Sequence, residues 1–434
     1  MFTTESLHYP KEGGGSLTLS EDESLTLPRP DFGACIAAAR ARGLFPIKYF
    51  RSPEGEELLG LGTAVSAAPR TGLASLHDTL QLGYREAKEH FLIADHLPAA
   101  FLSVWFDPLA KRDKAWKPYP HMVFHVPAIL CKREGDDIRV YFTASRMDLQ
   151  KLRDQWIKLS QDAQLTPELH SPELHPEWND GYTDCVKDAV SAIKDGELEK
   201  VVLARSASVE LPGPVYFPAL LRSADEHEGD CYVAIDIPAA GHAFISLTPE
   251  RLASVRGGKL RTGALAGTYL GEEEQIDGKM KAEHKYVTDS IRNALKDLGT
   301  RVDVSDKAVP RRYGDITHLF TEITASLHQD TGLLEGIAAL HPTPAVCGTP
   351  YNDALDYIRL NEELVRGMYA GVFGYVDSEN EGEAAVAIRS LRIDGNRAEV
   401  YAGAGIVAES DPQAEDEETR AKVESVLNIL RSAI

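Results

Sequence analysis

Apolar and polar positions along the chain alternate in some stretches and repeat every three to four residues in others. Strands and helices are therefore expected in mixed order. Phe45-Pro46-Ile47-Lys48-Tyr49-Phe50 and Glu57-Leu58-Leu59-Gly60-Leu61-Gly62 read as strands around a Ser52-Pro53-Glu54-Gly55 turn. Residues 101–106, 121–131 and 138–143 are further strands, and 149–162 has the spacing of an amphipathic helix. Residues 165–180, rich in Pro, Glu and His, read as a connecting loop rather than a metal site, because the prolines forbid helical spacing. The second half predicts a helix over 182–195 stopped at Gly196, then a buried-type strand over 200–205. Strands follow over 231–237, 242–247 and 260–268, the last broken by Gly263 and Gly267. A long helix is expected over 278–298 and another over 352–363. Residues 366–377 read as a glycine-punctuated strand, and 383–393 as a strand containing the charged Arg389. A last strand over 398–402 ends in Gly403 and Gly405, and a helix then runs to the end of the chain. Ser410 or Asp411 suits its N-cap and Pro412 its first turn.

Composition adds limits. The chain has 434 residues, of which 43% are hydrophobic and 26% charged, the profile of an ordinary globular protein with ample core. With 46 basic and 67 acidic side chains the formal charge is −21, which argues against a nucleic-acid or anionic-membrane surface. An anionic substrate would need a local basic pocket or a metal. Cys35, Cys131, Cys185, Cys231 and Cys347 are scattered and odd in number, without CxxC spacing, so neither a disulfide framework nor a zinc site is indicated and the cytoplasm fits best. Residues 1–27 lack the apolar stretch of a signal peptide, and no run of eighteen apolar residues occurs. Residues 1–30, with Lys11-Glu12-Gly13-Gly14-Gly15-Ser16, are expected to be a flexible lead.

Several residues invite chemistry. Glu415, Glu418 and Lys422 fall at i, i+3 and i+7 on one helix face, beside Gly403 and Gly405. The pattern suits an anion held through a metal. It suits equally an acidic first turn that complements the helix dipole. Asp416 and Glu417 should face elsewhere, toward solvent. Lys200 enters a buried strand, as either an exposed edge charge or a base tuned by its surroundings. Glu250 stands where a strand leaves its sheet, in Thr248-Pro249-Glu250-Arg251. Glu283-His284 lacks the HExxH arrangement of a zinc site.

Six segments, in order, together resemble one family: Lys200-Val-Val-Leu-Ala-Arg205, Thr248-Pro-Glu-Arg251, Ala264-Leu-Ala-Gly-Thr268, His341-Pro-Thr-Pro-Ala345, Arg389, and Ala402-Gly-Ala-Gly-Ile406 with Glu418-Thr419. The resemblance is to the chorismate-utilising enzymes, which include isochorismate and salicylate synthases, anthranilate synthase component I and aminodeoxychorismate synthase. It covers about residues 180–434. It implies an α+β fold of two large, mostly antiparallel sheets with helices packed outside. Residues 31–434 would form one domain, with a variable front half (31–180) and a catalytic core (181–434). Members that use ammonia carry a lysine where Ala266 stands, and members that use water carry one at Lys200. The resemblance therefore points to isochorismate synthase, an isomerase that adds water at C2 of chorismate and expels the C4 hydroxyl. The alternative is salicylate synthase, which goes on to eliminate pyruvate. Ala345 and Ile388 stand where salicylate synthases have Thr and Leu, whereas Tyr369 matches the salicylate synthases.

By the same resemblance Lys200 would be the base and Glu250 the acid. Mg²⁺ would be held by Glu283 and Glu418, with Glu415 orienting a bound water. An acidic residue expected three before Glu283 is Met280 here. Arg389, Tyr369 and the Gly405 N–H would hold the enolpyruvyl carboxylate, and Lys422 would add positive charge near the metal. Gly267, Thr268, His318, Ala345, Ile388 and Gly403 complete the implied substrate site. The expected partner is the small molecule alone, with no nucleic acid and no membrane, and a monomer without a glutamine amidotransferase subunit is expected.

Overall fold

A computed structural model of the chain describes residues 2–9, 15–20, 23–27, 29–69, 75–91, 99–145, 148–163, 170–178, 181–228, 231–270, 278–313 and 316–434. Of the predicted site residues, the side chains of Thr268 and Glu283 lie outside the described residues.

Two large sheets make the fold, and among the described residues all of their pairings are antiparallel. The expected α+β architecture is therefore present. In the first sheet the strands run in the order Phe2–Tyr9, Asp137–Ser145, Ile129–Glu134, Glu57–Leu61, Ile47–Arg51, Tyr232–Ile237, His242–Thr248, Ser390–Asp394, Arg397–Ile406, Lys200–Glu210, Glu177–Trp178. The two-residue strand Gly348–Thr349 also pairs with Lys200–Glu210. The second sheet runs Gly299–Val304, Ile316–Leu327, Lys259–Leu270, Arg251–Arg256, Gly382–Val386, Val372–Val376, Ala100–Val104, Met122–Val126, Val65–Ala67, with Val309–Tyr313 on Ile316–Leu327. Both faces of the first sheet are covered, which is why its strands read as nearly continuous apolar runs. Phe50, Leu58 and Ala234 face the second sheet, while their neighbours Tyr49, Leu59 and Ile235 face outer helices that include Leu149–Asp162 and Pro412–Arg431. The helices Gly278–Leu295 and Leu333–Leu340 pack on the second sheet.

Several local expectations change. Residues 1–30 were expected as a flexible lead, yet Phe2–Tyr9 forms an edge strand along Asp137–Ser145 and Leu7 enters the outer core. The predicted strand over 121–131 is two, split around Pro127, which cannot donate to a ladder. Residues 366–371 form turns, with positive φ at Gly367 and Ala370, and only Val372–Val376 is a strand. Residues 383–393 are two strands from different sheets, Gly382–Val386 and Ser390–Asp394. Arg389 sits at the corner between them at φ 47°.

Candidate active site

One cavity is lined by residues of both sheets. Val202, Tyr401, Ala402, Gly403 and Gly405 come from the first sheet, and Leu265, Ala266 and His318 from the second. Glu250, Ala345, Val346, Tyr369, Ile388 and Arg389 enter from connections between strands. Met280 comes from the helix Gly278–Leu295, and Glu415, Glu418 and Lys422 from the helix Pro412–Arg431. The fold thus gathers residues that the sequence scatters over more than two hundred positions.

The strand that carries Lys200 sets one wall. Lys200 pairs with Thr349 and is 1% exposed, so the reading as an exposed edge charge fails. Its side chain is buried and not among the lining residues, and its charge acts on Glu250. Further along the free edge of this strand, the Cys347 backbone and two side chains take the place of a neighbouring strand. The Val202 N–H donates to Cys347 C=O (2.8 Å) and the Ala204 N–H to Glu362 Oε2 (3.0 Å). Arg366 Nη2 donates to Val202 C=O (2.7 Å) and Nη1 to Val346 C=O (2.9 Å), while Glu362 neutralises it.

That edge pattern fixes the other side of the pairing. Val202 and Ala204 turn their N–H groups away from Arg397–Ile406, so their partners Gly405 and Gly403 also point their backbone groups outward, into the cavity. Gly403 C=O accepts from Lys422 Nζ at 2.8 Å, as this orientation requires. The two glycines are part of the strand, which continues to Ile406, rather than of a loop beyond it. A Cβ on Gly403 would lie 2.8 Å from the Tyr369 hydroxyl, so the missing side chain lets that phenol approach the strand.

Glu250 is 5% exposed. Its N–H donates to Thr248 Oγ1 (3.1 Å), its C=O accepts from Val386 N–H (3.0 Å), and Oε1 accepts from the Thr343 hydroxyl (3.3 Å). Burial pushes its pKa up to about 7, against the opposing pull of the Thr343 hydrogen bond and of Lys200 and Lys422. His318 is held well below its usual pKa by burial and by Arg389 and Lys422, so it is neutral, and its Nε2 lies 3.2 Å from Arg389 Nη2. Arg389 Nη1 also donates to Ser425 Oγ at 3.3 Å.

The acidic helix turn resolves into two faces. Asp411 caps it, accepting from Gln413 N–H (3.0 Å) and Ala414 N–H (2.9 Å), with Pro412 in the first turn. Glu415 and Glu418 line the cavity, and Lys422 Nζ donates to Glu418 Oε1 at 2.7 Å. Asp416 is not on a solvated face. It is 8% exposed and binds Arg205 Nη1 (2.7 Å) and Arg420 Nε (2.6 Å), while Glu417 is exposed as expected. The bulged Gly267, at φ 78°, would place a Cβ 2.9 Å from Met280 C=O, so it sets how closely the helix bearing Glu283 approaches this strand. Beside Glu283, His284 ties that helix to Ala266 C=O (3.1 Å) and Thr321 Oγ1 (2.7 Å).

Two contacts were not assigned from sequence. Thr343 lies within a segment already singled out, but nothing local marks its hydroxyl as Glu250's donor. Ser425 falls three positions after Lys422 and seven after Glu418, so helical spacing alone places it on the same face.

The sequence profile described as "Chorismate binding enzyme" matches residues 26–431. The "Isochorismate synthase MenF" of Bacillus subtilis is 31% identical over 77% of this chain and 74% of its own length. The "Salicylate biosynthesis isochorismate synthase" of Pseudomonas aeruginosa is 32% identical over 75% of this chain and 72% of its own. Among solved structures, the menaquinone-specific isochorismate synthase MenF from Escherichia coli superposes with a TM-score of 0.78 at 26% identity, covering 98% of this chain and 94% of that one. A cavity wall drawn from both sheets, and a profile match over nearly the whole chain, lead to one conclusion: the chain belongs to the chorismate-binding enzyme family.

Proposed function

We propose that this protein is an isochorismate synthase, an isomerase that converts chorismate to isochorismate. The observation that carries the reading is the state of Glu250: a buried carboxyl whose pKa is raised to about 7, in a cavity that also holds the cations Arg389 and Lys422. A carboxyl in that state still carries a proton near neutrality and can give it to a leaving group. In the proposed reaction Lys200 takes a proton from water as the C2–O bond forms. Both ring double bonds shift, from C1=C2 to C6=C1 and from C5=C6 to C4=C5, the C4–O bond breaks, and the proton of Glu250 goes to the departing oxygen. Water enters and water leaves, so the net change is an isomerisation. Ala266 supports water over ammonia, since the cavity wall presents a methyl group where ammonia-using relatives place a lysine.

Arg389, the outward-facing N–H of Gly405 and the Tyr369 hydroxyl beside Gly403 are suited to the enolpyruvyl carboxylate. His318, being neutral, accepts from Arg389 and orients its guanidinium. Ala345 and Ile388 supply apolar wall, and Gly267 with Thr268 shapes the strand beside it. The donor set fits magnesium: Glu418 offers hard oxygen ligands, Glu415 one turn earlier is suited to orienting a bound water, and the Lys422 ammonium rests on Glu418 Oε1, a position that draws a cation. Glu283 would complete the set. When bound, the ion would supply positive charge to the ring carboxylate. We read the enzyme as cytoplasmic and as acting without a glutamine amidotransferase.

The salicylate-synthase reading is favoured by one observation, the Tyr369 phenol at the cavity wall. Incubation of the pure protein with chorismate and Mg²⁺ decides between the two. Isochorismate is the expected product, and fluorescent salicylate formed without a second enzyme would sink the proposal. Lys200→Ala should abolish turnover while chorismate binding, followed by calorimetry, persists. A retained rate would remove Lys200 from the role of base.

A further inference from the structure

We propose that Thr343 is a positioning residue for this reaction: its hydroxyl fixes the Glu250 carboxyl in the orientation from which the proton is delivered. The proposal rests on the assignment of Glu250 as the acid. Thr343 is 4% exposed and donates to Glu250 Oε1 at 3.3 Å. Its own carbonyl accepts from the N–H groups of Val346 (3.0 Å) and Cys347 (2.9 Å). Thr343 therefore opens a closed turn whose far side, Ala345 and Val346, is cavity wall.

The backbone of Glu250 is pinned at both ends, by Thr248 Oγ1 and by the Val386 N–H. Only the side-chain torsions remain free, and the Thr343 hydrogen bond restrains them. The bond also selects an oxygen. A protonated carboxyl has one oxygen that accepts and one that carries hydrogen. With Oε1 accepting from Thr343, the proton resides on Oε2, and from there it passes to the C4 oxygen as the C4–O bond breaks.

Charged and titratable groups act on Glu250 or share its cavity. Lys200 comes from the first-sheet strand and Lys422, Glu415 and Glu418 from the C-terminal helix. Tyr369 and Arg389 come from the turns and His318 from the second sheet. None of these changes when Thr343 is replaced by the nearly isosteric valine. A hydroxyl that donates to a carboxylate favours the ionised form, so its loss raises the pKa of the acid. Activity that requires protonated Glu250 then persists to higher pH.

The test compares pH profiles of kcat and kcat/KM for the wild type, Thr343→Val, Thr343→Ala and Thr343→Ser, each shown to be folded by its thermal melt. Thr343→Val and Thr343→Ala should lower kcat by roughly tenfold, a fraction of the usual effect of general acid catalysis. Both should change chorismate KM little and move the alkaline limb to higher pH. Thr343→Ser, which keeps the hydroxyl, should restore both rate and limb. An alkaline limb that does not move in either hydroxyl-free variant overturns the proposal, as does a serine variant as impaired as the valine one. Glu250→Gln separates the two levels. If it is inactive while the limb of Thr343→Val is unmoved, only the role of Thr343 falls. If it keeps the wild-type rate, the acid assignment falls, and the proposal with it.

Discussion

A carboxyl held away from water costs little when protonated and much when ionised. For Glu250 the folded-state pKa of about 7 lies above the value of an exposed glutamate. The folded state therefore holds the proton more tightly than the unfolded chain does. Stability from this group is fully present below the unfolded pKa and is lost as pH rises through 7. The loss approaches roughly 3 kcal/mol at higher pH. Glu250→Gln should accordingly be inactive yet more heat-stable than the wild type at pH 8, with the difference vanishing near pH 4; parallel melts at the two pH values measure it. Gly403 makes the opposite case. The Tyr369 ring is stacked on Tyr401, with centroids 5.4 Å apart, and Tyr401 accepts from Arg392, so the phenol has little room to yield to a new methyl group. Gly403→Ala should cost about 1–3 kcal/mol in denaturant unfolding. It should also raise chorismate KM by roughly tenfold, equivalent to about 1.4 kcal/mol of binding.

At the level of elements, the C-terminal helix is positioned by an ion pair. Arg205, on the same strand as Lys200, binds the Asp416 side chain and C=O, stacks between Trp178 and Tyr182, and so sets the rotation that turns Glu415 and Glu418 to the cavity. Asp416→Ala would leave Arg205 buried without its carboxylate and should destabilise the protein by about 3–5 kcal/mol. Chemical denaturation measures the loss; one below 1 kcal/mol would mean that the pair does not hold the helix. The same region marks what sequence can disclose. The Asp411-Pro412 start of the helix was legible because capping is decided by residues next to one another. Asp416 was misread because its partner lies 211 positions away. Arg389 was placed inside a strand because Ala384 to Ile388 are all apolar and no glycine or proline marks the corner. Its φ of 47° is supported by distant backbone partners, including the Leu247 N–H on its carbonyl at 3.0 Å. Many of the residues that line the cavity are recognisable from family motifs. Their convergence is not, since the cavity forms between two sheets whose pairing order no local pattern encodes.

For the molecule as a whole, residues 31–180 and residues 181–434 share both sheets. Ile47–Arg51 pairs with Tyr232–Ile237 in the first, and Ala100–Val104 with Val372–Val376 in the second. The apolar cluster between the sheets draws Phe50, Phe101 and Phe124 from one half and Tyr232, Phe244 and Tyr375 from the other. Residues 31–434 are thus expected to unfold as one unit, and a fragment of residues 181–434 should not fold alone. Far-UV and near-UV circular dichroism of the full chain should give coincident thermal transitions, and separated midpoints would show independent halves. The side chains along the Lys200 strand have a further consequence at this scale. A strand at a sheet margin, with open N–H and C=O groups, is a template for pairing with another molecule. Here Glu362 and Arg366 occupy the N–H of Ala204 and the C=O of Val202, between the short partners Gly348–Thr349 and Glu177–Trp178. The Lys200 strand can remain apolar from Val201 to Ala204 while these two groups stay occupied within the chain, so the pair that braces the cavity wall also withholds them from a neighbouring strand.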